Sequence, residues 1–280
     1  MDTKVTGTVK EVIIGDGHPT VLIGERINPT GKKKMQEALK QEDFDLIRQE
    51  AVTQVQAGAH ILDVNVATPG VDEISLLPNV VSIIQETVDL PLCLDSPSPE
   101  ALAAALKVYK GKPIVNSVTG EEHSLAKVLP LVKEYGAVVI GLPQDESGVS
   151  QDPEKRTEIT GKIIDRARTL GIPPEDIIID CIAFAVGAEP NSGSVTIKTI
   201  ASIKANFGVN LTLAASNVSF GMPDRGLLND AFAAMAIASG VNCFIANVTK
   251  LKPAVLAADL VLGFDKYARN YIQAFRQRQQ

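Results

Sequence analysis

The 280-residue chain has no tryptophan, three histidines and three cysteines, and each scarcity closes off a chemistry. Cys93, Cys181 and Cys243 are odd in number, far apart and each set in an apolar run. Neither a disulfide framework nor a paired-cysteine zinc site is encoded, and buried thiols are the expected state. Positive charge is not in excess: 27 Lys and Arg against 33 Asp and Glu leave a net charge of −6. That balance argues against a nucleic-acid or membrane surface as partner. No stretch approaches the ~18 consecutive apolar residues of a membrane span, and the start, MDTKVTGTVK, has no apolar core of signal-peptide length. A cytoplasmic protein is expected, and the sequons at Asn210, Asn217 and Asn247 are then chance matches. No Ser/Gly/Pro-rich linker and no internal repeat divides the chain, so residues 1–280 are expected to form one domain.

What is present is a regular alternation of two periodicities. Strand-like runs fall at Val21–Ile27, Ile61–Val66, Leu92–Asp95, Ile114–Asn116, Ala137–Gly141, Asp176–Asp180, Leu211–Ala215 and Cys243–Ala246, each followed by a stretch of helical spacing. Eight such units predict a (β/α)8 TIM barrel of the α/β class; a doubly wound sheet is disfavoured because no G-x-G-x-x-G follows the first run. Residues 1–20 alternate weakly around the tight Gly15-Asp16-Gly17 turn and predict a hairpin extension that could plug one end of the barrel. Asp16-Gly17-His18 also begins a D-x-H-x-x-G pattern like that of corrinoid-binding modules, but Val21 stands where glycine is needed, so His18 is not assigned to cobalt.

Catalytic groups of such barrels sit at the carboxyl ends of the strands. Here those ends carry Glu25, Asp63 with Asn65, Asp95, Asn116, Asp180, Asn217 and Asn247. Asp95 or Ser98 could instead cap the next helix, and Asp63 could be solvated in a turn. Taken together they predict a polar ligand site. Lysine is missing from these ends except for Lys250 just beyond the last, which disfavours Schiff-base chemistry. His60 begins a strand and His123 begins a helix, so clustered-histidine metal hydrolysis is not indicated either. Magnesium on Asp63, Asp95 and Asp180 is the alternative those carboxylates leave open, and no metal is assigned. A carboxylate accepts two adjacent donors, and an amide offers one donor and one acceptor. A pterin ring presents the matching edges.

GERINPTG (24–31), AGAHILDVNV (57–66), LCLDS (92–96), IVNSV (114–118), PPEDIIID (173–180) and SNVSF (216–220) together resemble the pterin-binding methyltransferases. That family includes enzymes moving a methyl group between tetrahydrofolate and corrinoid proteins, and the folate module of cobalamin-dependent methionine synthase. The resemblance spans residues 20 to 265. It implies that Asp95, Asn116 and Asp180 hold the pterin ring and that Asn217 hydrogen-bonds near the methylated ring nitrogen. Glu25, Asn65, Ser216 and Arg225 join them as candidate substrate-binding residues, and Asp63 joins Asn217 as a candidate catalytic one. Dihydropteroate synthases share the fold but carry a terminal histidine-containing basic motif, which NCFIANVTK lacks. Cys181 stands where members often have proline, and Phe220 replaces a polar residue found in some members.

The implied reaction is methyl transfer between tetrahydrofolate (or methyltetrahydrofolate, its donor form) and cobalt in a cobalamin-type corrinoid carried by a separate protein. The folate nitrogen leaves poorly unless it is protonated or strongly hydrogen-bonded, a task assigned to Asn217 with ordered water or Asp63. The alternatives are a non-catalytic folate-binding subunit and a methionine-synthase-like folate module. A homodimer is implied by the resemblance alone. The Lys32-Lys33-Lys34 run is read as a solvated charge run, with folate glutamate carboxylates as its other reading.

Overall fold

The computed structural model describes residues 1–279. Two antiparallel strands, β1 (Asp2–Thr6) and β2 (Glu11–Gly15), precede eight parallel ones: β3 (Val21–Ile27), β4 (Ile61–Asn65), β5 (Leu92–Asp95), β6 (Ile114–Thr119), β7 (Val138–Leu142), β8 (Ile177–Asp180), β9 (Asn210–Thr212) and β10 (Cys243–Ala246). The eight pair in the order β10-β3-β4-β5-β6-β7-β8-β9. A parallel bridge between Ala214 and Ile245, with the Ile245 N–H donating to the Leu213 carbonyl, joins the last strand region to the first and closes the ring. The (β/α)8 barrel read from the alternation is therefore the fold.

Between strands run α1 (Lys33–Lys40), α2 (Asp45–Ala57), α3 (Glu73–Thr87), α4 (Pro99–Val108), α5 (Glu122–Tyr135), α6 (Pro153–Thr169), α7 (Ser192–Phe207) and α8 (Arg225–Ser239), and α9 (Val248–Val261) and α10 (Arg269–Arg278) end the chain. Local chemistry sets their starts: the side chains of Asp72, Ser98 and Asp152 accept from the first-turn N–H groups of α3, α4 and α6. Ser98 rather than Asp95 thus caps α4, which leaves Asp95 to the mouth. Gly58, at φ 94°, takes the left-handed turn that ends α2 and returns the chain into β4.

Two corrections concern the ends of the predicted elements. The hairpin reverses between Thr6 and Glu11, not at Gly15-Asp16-Gly17, which instead links β2 to β3. The run read as a strand to Ala215 pairs only to Thr212, bridges at Ala214, and then coils into a short 3-10 turn, Ala215–Asn217. The hairpin does plug the barrel. Val5, Val12 and Ile14 are buried in one cluster with the inward residues Ile23, Ile61, Cys93, Ile114, Ile178 and Ile245. Asn210 fastens it, donating to Thr3 Oγ1 at 2.8 Å and to the Ile14 carbonyl at 2.9 Å.

Candidate active site at the carboxyl end of the barrel

Side chains on a strand alternate faces, so the residue two beyond an inward apolar one also points inward. Ile23, Ile61, Cys93, Ile114, Ile178 and Ile245 line the dry interior. Two residues further stand Glu25, Asp63, Asp95, Asn116, Asp180 and Asn247. The strand period itself carries an apolar plug into a polar mouth.

Asp63 is the deepest of these groups, 2% exposed, and is not solvated in a turn. Asn116 Nδ2 donates to its Oδ1 at 3.3 Å. Burial, then the neighbouring Asp95 charge, pushes its carboxyl well above the usual range; contacts from Cys93 and Asn116 offset part of that. The protonated form of Asp63 is thereby favoured. Asp95 is raised too, chiefly by burial, while Asn65 Nδ2 donates to its Oδ2 at 2.9 Å and favours the anion. Asp180 is pushed up to about 6 by burial, against the opposing pull of the Ile182 N–H, which donates to its Oδ1 at 2.7 Å, and of the Arg156 charge.

Glu25 forms a second group with Ser216, Arg225 and Asn247 around a cavity of about 500 Å³. Burial raises the Glu25 pKa, while Lys32, Arg26, Arg225 and the Asn247 backbone N–H lower it. Arg225 is not simply solvated: Nη2 donates to the Ser216 carbonyl at 2.8 Å and Nε to Ser219 Oγ at 3.0 Å, so it braces the turn that carries Asn217. Asn217 itself is exposed, and its side-chain amide has no hydrogen-bond partner among the described residues. The structure thus joins Asp63 to Asn116 and Asn65 to Asp95, groups Glu25 with Ser216 and Arg225, and leaves Asn217 on the rim.

The reading of Lys32-Lys33-Lys34 as a solvated run fails at Lys32. Lys33 and Lys34 are solvated as read, but Lys32 Nζ turns back to donate to the carbonyls of Glu25 at 3.2 Å and Arg26 at 3.1 Å. Burial lowers its pKa, and the Glu25, Glu50 and Asp63 charges oppose that. Only its place, seven residues beyond Glu25 and at the head of α1, hinted at this. Arg156, fully buried beneath the loop after β8, was missed as well. Among the described residues no group of three His, Cys, Asp or Glu side chains gathers where it could hold a metal ion. His18 faces Asp2 at 3.4 Å on the hairpin, at the opposite end from the mouth.

A barrel mouth built from carboxylates and amides, with Lys250 just beyond the last strand lining the cavity beside Glu25, suits a polar heterocycle. Residues 24–247 match the pterin binding enzymes, and the chain belongs to that family. It is 32% identical over 265 residues to the methylcorrinoid:tetrahydrofolate methyltransferase of Eubacterium limosum, covering 92% of this chain and 96% of that protein. It is 33% identical over 249 residues to the methionine synthase of Mycobacterium leprae, where 84% of this chain spans 21% of the larger protein. Yersinia pestis dihydropteroate synthase superposes with a TM-score of 0.70 over 93% of this chain and 99% of that one; at 15% identity the likeness is one of fold.

Proposed function

We propose that this chain, as one pterin-binding domain over residues 1–280, transfers a methyl group between a ring nitrogen of tetrahydrofolate and the cobalt of a corrinoid carried by a separate protein. The observation that carries this reading is the two-residue step from apolar interior to Asp63, Asp95, Asn116 and Asp180, in a chain similar over nearly its whole length to a methylcorrinoid:tetrahydrofolate methyltransferase. Asp95, Asn116 and Asp180 bind the pterin edges, with Asn65 fixing the Asp95 carboxylate. Glu25, Ser216 and Arg225 shape the adjoining cavity.

The chemical demand falls on the folate nitrogen, which carries a proton or strong hydrogen bonds when its methyl bond breaks. Asp63, whose protonated form is favoured by burial and by Asp95, offers a proton beneath the ring, and Asn217 supplies an amide from the rim once folate occupies the mouth. The partner's corrinoid supplies or accepts the methyl group. The open mouth and the half-buried cavity beside Arg225 face the side from which that partner approaches. A reducing cytoplasm suits both a reduced cobalt nucleophile and three free, buried thiols. A homodimer belongs to the same reading: α8 turns Leu227, Ala231, Met235 and Ala238 outward at helical spacing, a face a second copy would cover.

The test is to mix the protein with methyltetrahydrofolate and cob(I)alamin and follow methylcobalamin in the visible spectrum. Formation at a rate proportional to enzyme supports the reading. Tight folate binding without transfer, to free cobalamin or to a supplied corrinoid protein, would replace it with a non-catalytic folate-binding subunit.

A further inference from the structure

Arg156 is fully buried, yet none of its hydrogen bonds goes to a carboxylate. Its Nε donates to the Ser150 carbonyl at 2.6 Å, and Nη1 donates to the carbonyls of Cys181 at 2.9 Å and Ile182 at 2.8 Å. Its Nη2 has no hydrogen-bond partner among the described residues. The guanidinium also lies 5.6 Å from the centre of the Phe184 ring. Burying an unpaired cation costs several kcal/mol unless its donors are satisfied and its field is used. Here all three bonds go to backbone carbonyls on either side of the barrel rim, two of them in the segment directly after Asp180.

That segment is held in a conformation it would not choose. Ile182 has φ 51°, a left-handed backbone that a β-branched residue rarely adopts. In this conformation its N–H turns back to Asp180 Oδ1 at 2.7 Å, while its carbonyl accepts from Arg156 and from Thr196 Oγ1 at 3.0 Å. Two donors on two helices, α6 and α7, thus pin one carbonyl, and the N–H of the same residue aims the carboxylate.

We propose that Arg156, with Thr196, is the positioning residue of the pterin site: it locks the left-handed turn at Ile182 and keeps the Asp180 carboxylate oriented toward the mouth. The inference rests on the reading of Asp180 as a pterin-ring acceptor. Besides burial, the groups that act on Asp180 are the Ile182 N–H and Arg156 on α6; Asp180 in turn raises the buried thiols Cys181, beside it, and Cys243 on β10, while Lys204 on α7 lowers Cys181. Arg156 is the cation among them that acts on Asp180 directly. Without it the carboxyl would retain its proton to higher pH and would no longer accept from the ring's N–H edges.

The experiment measures methyltetrahydrofolate affinity by titration calorimetry from pH 5 to 8, with KM and kcat for transfer, in wild type, Asp180→Asn, Arg156→Gln, Arg156→Lys and Thr196→Val. Circular dichroism establishes that each is folded. Arg156→Gln is expected to weaken binding about tenfold or more and to move the low-pH midpoint of binding upward, raising KM far more than it lowers kcat. Arg156→Lys keeps the charge but not the fork, and should restore the midpoint while affinity stays reduced. Thr196→Val should weaken binding about threefold with no change in midpoint. A role confined to stability would lower the active fraction, hence kcat, and leave midpoint and KM unmoved. Folded Arg156→Gln with wild-type affinity and midpoint would overturn the proposal. Should Arg156→Gln not fold, Arg156→Lys decides; should neither fold, Thr196→Val decides, and wild-type affinity in the deciding variant overturns it equally. If Asp180→Asn binds folate normally, the site assignment fails instead.

Discussion

The Asn116 side-chain amide donates to the carboxyl of Asp63 at 3.3 Å, which links two groups of the barrel mouth, the acid being only 2% exposed. The contact favours the Asp63 anion and so opposes, in part, the burial and the Asp95 charge that favour its protonated form. Asp63 has its pKa raised well above the usual range by burial and by Asp95, which favours its protonated form. In Asp63→Asn the donor remains but the titrating proton is lost. Methyl transfer should fall by about 10²-fold while methyltetrahydrofolate affinity changes little, as single-turnover rates and calorimetry would show.

The same raised pKa dictates a stability profile. A carboxyl that binds its proton more tightly when folded stabilises the protein at low pH. That contribution is lost as pH rises from the unfolded value, about 3.9, through the raised folded value. Asp63→Asn should therefore melt above wild type at pH 8, with the gap closing toward pH 4. Thermal scans across that range check the sign; a variant less stable than wild type at pH 8 would contradict a protonated Asp63.

Asp180→Asn should separate stability from function. The Asp180 carboxyl is pushed up to about 6, so between about 4 and 6 its ionisation progressively costs the folded state, and above 6 the cost is complete. An asparagine keeps an oxygen for the Ile182 N–H and removes that cost. At pH 7 the variant should be more stable by on the order of 2 kcal/mol, yet, if Asp180 is the pterin acceptor proposed above, should bind methyltetrahydrofolate at least ~10²-fold more weakly for want of a charged acceptor. Denaturant melts and calorimetry on the same sample test both halves.

The sequence made the barrel and most of the mouth legible for one reason. Glu25, Asp63, Asp95, Asn116 and Asp180 each interrupt an apolar strand two residues past an interior position, and a two-residue period is visible in one dimension. What was not legible depends on distance in space. Arg156 lies in a helix that reads as amphipathic and polar, and only the fold shows it threading to the carbonyls of Cys181 and Ile182. Lys32 looked like its exposed neighbours Lys33 and Lys34 because its inward turn is set by the carbonyls of Glu25 and Arg26, not by its own residue type. The hairpin reversal was misplaced because Gly15-Asp16-Gly17 is a stronger turn signal than Gly7-Thr8-Val9-Lys10, although the latter is where pairing begins.

Asn217→Ala tests the rim. Since the Asn217 side chain is exposed and makes no hydrogen bond among the described residues, its removal should change stability by less than about 0.5 kcal/mol. If the amide is recruited only when folate is bound, its effect should appear in transfer, not in the fold. The expected loss is about 10²-fold in the rate of methyl transfer, with methyltetrahydrofolate binding within a few-fold of wild type. Equal rates in variant and wild type under single-turnover conditions would remove Asn217 from the mechanism.

The hairpin should matter to stability and not to chemistry. Ile14 is fully buried inside the lower barrel, with Ile23, Ile61 and Ile178 among its cluster, and Asn210 on β9 clamps its carbonyl. Ile14→Ala deletes apolar volume from an interior that cannot collapse, because the surrounding strands are fixed by their own ladders. A loss of about 2–5 kcal/mol is expected from urea denaturation. The mouth lies at the other end of those strands, separated from Ile14 by the layer of Ile61, Cys93 and Ile114. In the folded fraction, KM for methyltetrahydrofolate should therefore stay at the wild-type value; a raised KM at full folding would mean that the plug sets the spacing of Asp63 and Asp95 above it.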